Sequence, residues 1–230
     1  MPSKVQARYM SLKEFRQLRE SARYYADRDN KAGRVRGVLG WMVVDLATST
    51  GLRVGEISQL RVGDVDFRRK LLRIHRLKAV GNPEQYLPMD PSLADHLFEF
   101  IKWKYRRGEH ILAESALFCG KRGPITNRGL QRVWHRAREL AGLPEEISIR
   151  SARHTLAVHE LRRTGNIQQV QRKLGHANAG TTANMYLELC RAADLLDAME
   201  AGDAETPEAY APPTLTEAAT MVAVEHAHAS

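Results

Sequence analysis

Hydrophobic positions recur at helical spacing over most of the chain. In "SLKEFRQLRESARYYADR", residues 11 to 28, Leu12, Phe15 and Leu18 form one stripe. Ser11 followed three residues later by Glu14 is the pattern of a capping box at a helix start. "GRVRGVLGWMVVDLATSTG" is apolar on nearly every face, which predicts a largely buried helix ending near Gly51. A short helix is expected over "VGEISQLRVGDV". The period then drops to two: "KLLRIHRL" and "EQYLPM" predict two strands joined by "KAVGNP", a Gly/Pro turn. Helical spacing returns from Pro91 to Gly108, through Leu93, Leu97, Phe100, Ile101 and Trp103, and again from Asn127 to Gly142. Successive helices divided by Gly165, Gly175 and Gly180 are expected to about residue 200. There is no internal repeat. The expected fold class is mainly α with a small antiparallel β-sheet, an α+β arrangement.

From Gly202 to Pro213 the chain turns rich in Ala, Pro and Glu, which predicts a flexible segment before a weak terminal helix. The expected organisation is one domain over residues 1–200 and an acidic tail over 201–230. The chain has 230 residues, enough for a sizeable core. Its longest apolar run, within "VLGWMVVDLA", is too short to span a bilayer, and "MPSKVQARYM" lacks the apolar core of a signal peptide. Cys119 and Cys190 have no metal-like spacing and point to a reducing compartment. A cytoplasmic protein with no membrane partner is expected.

Charge is unevenly placed. The whole chain carries 35 basic and 27 acidic residues, a net +8. No lysine or arginine follows Arg191, and eight of the acids do, so the first 191 residues hold 35 basic against 19 acidic, near +16. Such a body suits a polyanion, most simply nucleic acid.

"ISIRSARHT" adds candidate chemistry. Ser148 and Ser151 are both plausible N-caps for a helix continuing through Leu156, Val158 and Leu161, which sets Arg150 and Arg153 in its first turns. A helix N-terminus already bears partial positive charge, so two arginines there ask for a negative group. Arg53 in "TGLRVGEISQLR", His176 in "LGH" and Tyr186 in "TTANMY" complete an ordered set. Taken singly, each has a plainer reading: a surface arginine, a histidine at a helix end, a half-buried tyrosine.

In order, these boxes resemble the catalytic domain of the tyrosine recombinases, the phage integrase family, over roughly residues 10 to 195. The resemblance implies an enzyme that breaks and rejoins double-stranded DNA, as a site-specific recombinase or integrase, with no cofactor and no metal. It implies a homo-oligomer, dimer or tetramer, on the DNA. Arg53 and Arg153 would clamp the phosphate, since guanidinium forks fit its oxygens. His176 would donate one more hydrogen bond, and Tyr186 would attack to form a 3′-phosphotyrosine. Lys78, the lysine at the hairpin turn, takes the place of the family's general acid. Arg150 stands where the family usually shows histidine or lysine, and is expected to act as a fixed charge, with the scissile phosphate as its counter-charge. Glu56 is expected to orient an arginine, and His154 to play a supporting part. Zinc held by His154, His159 and His176 is disfavoured, because no cysteine partner or HExxH pattern accompanies them.

The family usually precedes this domain with a helical core-binding domain, whereas the first expected helix here begins at Ser11. A stand-alone catalytic domain is therefore expected. A DNA-binding relic regulating a full-length partner is the alternative, and a type IB topoisomerase-like relaxing enzyme is a third reading.

Overall fold

The computed structural model describes residues 9–75, 84–120, 122–174 and 190. These lie in the first of two compact units, Met1–Asp194. Helix α1 (Leu12–Lys31) opens on the expected capping box: the Glu14 N–H donates to Ser11 Oγ at 3.3 Å, and the Ser11 N–H donates to Glu14 Oε2 at 3.0 Å. Helix α2 (Arg36–Thr50) buries Met42, Val43, Val44, Leu46 and Ala47 and stops at Gly51, whose φ of 64° is costly for a residue with a Cβ. Helix α4 (Pro91–Arg106) is capped by Asp90, which accepts from the Leu93 N–H at 2.9 Å. Helix α5 (Asn127–Leu140) is capped by Thr126. Helices α6 (Ile149–Thr164) and α7 (Ile167–Leu174) are parted by Gly165 in the left-handed region.

The single short helix expected over 54–65 is not what forms. Helix α3 (Val54–Gln59) ends at Leu60, which turns extended. The reason is a distant segment: the Leu60 carbonyl accepts from the Leu117 N–H at 2.8 Å, and the Val62 N–H donates to the Ser115 carbonyl at 2.9 Å. Residues 62–64 make a 3-10 turn, and β1 (Val65–Asp66) begins a three-stranded antiparallel sheet with β2 (Leu71–His75) and β3 (Glu84–Pro88), in the order β1-β2-β3. Leu72 pairs with Leu87 and His75 with Glu84. A two-residue ladder, β4 (Cys119–Gly120) with β5 (Gly123–Pro124), was not expected; strands that short carry no alternation to detect. The mostly helical, small-sheet expectation otherwise holds.

Helix α2 is the middle of the main core, packed by Leu18 of α1, Leu97 and Phe100 of α4, Leu130 and Trp134 of α5, and Leu72 and Ile74 of β2. Asp45, buried on α2, lies 2.6 Å from Arg19 of α1 and 2.6 Å from Nδ1 of His96 of α4. Burial alone would raise the pKa of this carboxyl, but the His96 hydrogen bond and the Arg19 charge outweigh it and hold the group below its ordinary value. A second, smaller cluster joins Ala157, Val158 and Leu161 of α6 to Val170 and Leu174 of α7. Helix α6 is thus buried on two sides, with Ala152 in one core and Val158 in the other.

Candidate functional site

Arg53 occupies the N-cap of α3, two residues past Gly51, with its side chain half exposed. Its Nη1 donates to Glu56 Oε1 at 3.0 Å, and its backbone N–H donates to Glu56 Oε2 at 2.8 Å. Glu56 therefore aims the arginine, as its spacing suggested. Arg150 lies in the first turn of α6, exposed, and no carboxylate pairs with it among the described residues. Facing an N-terminal dipole of like sign, it opposes the helix by about 0.3–1 kcal/mol. The helix start is otherwise well made: the Ser148 N–H donates to Ser151 Oγ at 3.1 Å. Ser148 is the N-cap, and Ser151 is its partner in the first turn.

Arg153, one turn on, is 6 % exposed. Its Nη1 donates to the Gly51 carbonyl at 2.8 Å and its Nη2 to the Leu174 carbonyl at 2.6 Å. So the charge of Arg153 already meets negative partners inside the protein, in the carbonyls of Gly51 and Leu174. His154 is buried beside it. Burial first, then the charges of Arg150 and Arg153, lower its pKa from 6.5 to about 4, so at neutral pH it is an uncharged ring. His159 is elsewhere engaged, edge-on to Phe15 with ring centroids 5.6 Å apart. Among the described residues no three His, Cys, Asp or Glu side chains gather as a metal site would require. Lys78, His176 and Tyr186 lie outside the described residues.

A cavity of about 840 Å³ opens over Arg53, Arg150, Arg153 and His154. Among the described residues its lining includes five arginines and two histidines and no carboxylate. Two of those arginines were not singled out by sequence. Arg128, Gln131, Arg132 and His135 are exposed along one face of α5 and form the opposite wall. Their spacing is the helical stripe that places every member on one side, while Leu130, Trp134 and Ala137 face the core. Trp134 fixes this wall against α6: its Nε1 donates to the Ile147 carbonyl at 3.2 Å, just before the α6 N-cap. The spacing was visible in the sequence; that this polar face borders the arginines of α3 and α6 required the packing. Convergent guanidinium groups without an acid among them suit a phosphate or another polyanion.

The model of the phage integrase family matches residues 9–192. The chain belongs to that family. It is similar to the tyrosine recombinase XerC of Corynebacterium efficiens, 34% identical over 141 residues, which are 61% of this chain and 43% of the relative. It is also 29% identical over 159 residues to the putative integrase/recombinase y4eF of Sinorhizobium fredii, covering 68% of this chain and 59% of that one. The chain thus spans less than half the length of the XerC relative. Among solved structures, XerA recombinase superposes with a TM-score of 0.65 at 23% identity, over 86% of this chain and 66% of the other. XerH bound to its palindromic difH substrate, a post-cleavage complex, superposes with a TM-score of 0.66 at 19% identity, over 85% and 54%. These likenesses establish the integrase-family fold. No helix among the described residues is long and apolar enough to cross a membrane.

Proposed function

We propose that this integrase-family chain is a site-specific DNA recombinase that breaks and rejoins double-stranded DNA through a covalent 3′-phosphotyrosine at Tyr186. The observation that carries the reading is the cavity in which Arg53, Arg150 and Arg153 converge with no acid among the described residues of its lining. In this scheme Tyr186 gives its proton to water, its oxygen attacks the phosphorus, the bond to the 5′ oxygen breaks, and Lys78 gives that oxygen its proton. A free tyrosine is only about a thousandth ionised at neutral pH, and neighbouring arginines favour the anion. The non-bridging oxygens rest on Arg53, Arg150 and Arg153, with a further hydrogen bond from His176, a preorganised positive site of the kind that lowers such barriers. The phosphotyrosine keeps the bond energy, so a 5′ hydroxyl can reverse the step without ATP. Arg128 and Arg132 add positive charge along the path of the flanking backbone.

The working unit in this reading is a homo-oligomer, a dimer or tetramer on DNA, in the cytoplasm and bound to the nucleoid. Residues 1–200 act as the catalytic domain and 201–230 as an acidic appendage. The test is a duplex nicked just downstream of the cleavage point, which loses its short 5′ fragment and traps the protein on the 3′ end. An adduct mapped to Tyr186 and abolished by Tyr186→Phe is expected; an adduct that survives the substitution overturns the assignment. Arg150, in a position usually titratable in the family, favours a second reading, a DNA-binding relic. That reading predicts salt-sensitive DNA binding with no adduct at all.

A further inference from the structure

Three of the four sequence boxes meet at one buried point. Gly51 closes α2 with φ 64°, and a Cβ there would lie 2.8 Å from Leu174 Cδ2 and 3.0 Å from Leu156 Cδ2. The absence of a side chain lets the α2 end press directly on α6 and α7. Arg153 fills the same junction and donates to the Gly51 and Leu174 carbonyls, which are 102 and 21 residues away along the chain. The Gly51 carbonyl sits at the C-terminus of α2, where carbonyls carry partial negative charge, and the Leu174 carbonyl belongs to α7. A planar guanidinium can hold two divergent acceptors at once; an ammonium on a single nitrogen cannot reproduce that fork.

We infer that Arg153 is a strut as well as a charge: it binds the end of α2 to Leu174 of α7, and so sets where the chain leaves α2 toward Arg53. Arg53 follows Gly51 by two residues. The same side chain that faces the cavity thereby positions Arg53, another candidate phosphate contact. This rests on the recombinase reading for its consequence in catalysis, but the strut itself is a property of the DNA-free protein.

The test uses the full chain. In the wild type without DNA, nitrogen-detected NMR should show the Arg153 Nη hydrogens resolved and slow to exchange, as expected of a guanidinium held by two carbonyls. Freely exchanging Nη hydrogens overturn the strut whatever any variant does. In Arg153→Lys, which keeps the charge, hydrogen–deuterium exchange of residues 167–174 should quicken at least tenfold, while the amides of α1 and α2 remain as in the wild type. Adduct formation on the nicked duplex should fall by a hundredfold or more, with less than a tenfold change in DNA affinity. Gly51→Ala leaves every proposed phosphate contact intact and should reproduce the quickened α7 exchange and the lost adduct. If α7 exchanges at the wild-type rate in Arg153→Lys, Arg153 serves the phosphate alone. If the wild type forms no adduct, the recombinase reading fails while the exchange result still decides the strut.

Discussion

Acid should weaken this fold through a single buried imidazole. His154 is 3 % exposed, and burial followed by the charges of Arg150 and Arg153 lowers its pKa from 6.5 to about 4. The unfolded chain, with the higher pKa, takes up the proton first. The stability that His154 contributes is therefore whole above about pH 6.5 and is lost as pH falls, until the folded form protonates near 4. Integrating between the two pKa values gives a loss of about 2 kcal/mol at pH 5, a large fraction of a typical domain's stability. Urea unfolding at pH 7.5 and pH 5 measures it, with His154→Leu as the reference, because an apolar residue there cannot titrate and other groups cancel in the difference. The wild type should lose about 2 kcal/mol more than the variant on acidification. Removing one of the two charges, by Arg150→Ala, should raise the His154 pKa and shrink the loss. Equal acid sensitivity in wild type and His154→Leu would refute the argument, since no buried neutral ring would then be resisting protonation.

Two further outcomes follow from the cavity. Arg150→Ala should keep or slightly raise thermal stability, since the charge opposes the α6 dipole, and slow single-turnover cleavage by up to about a hundredfold, the usual cost of one preorganised donor, whereas Arg150→His should match or exceed the native rate; native-rate cleavage with weaker DNA binding in Arg150→Ala would remove its catalytic part. Arg132→Ala should lower the slope of log affinity against log salt by roughly one, at a stability cost within about 0.5 kcal/mol; an unchanged slope would take this face of α5 off the DNA path.

Features with local causes were legible in the sequence. The Ser11–Glu14 box and the Gly51 stop each depend on atoms within a few residues, and each formed as expected. The break at Leu60 was not legible, because its cause is pairing with residues 115–117, far along the chain. Within the site, Arg53, bonded to Glu56, lines one cavity with Arg150 and Arg153. Missing from the sequence reading were the carbonyl partners of Arg153 and the α5 wall. Both follow from how α6 packs between α2, α5 and α7, which periodicity does not encode. Lys78, His176 and Tyr186 keep the roles proposed for them on sequence and lie outside the described residues.

The two walls of the cavity differ in how much change they can absorb. On α5, Arg128, Gln131, Arg132 and His135 are exposed and stand away from the packed residues Leu130, Trp134 and Ala137. Exchanges among them alter what the cavity presents while leaving the fold almost untouched. Across from them, Gly51 holds a φ of 64°, and a methyl group there would force Leu174 and Leu156 to shift. Descendants of this chain are therefore free to drift along one wall and are frozen at the other. A lineage can change which anions it favours by point substitutions on α5, without passing through an unfolded ancestor.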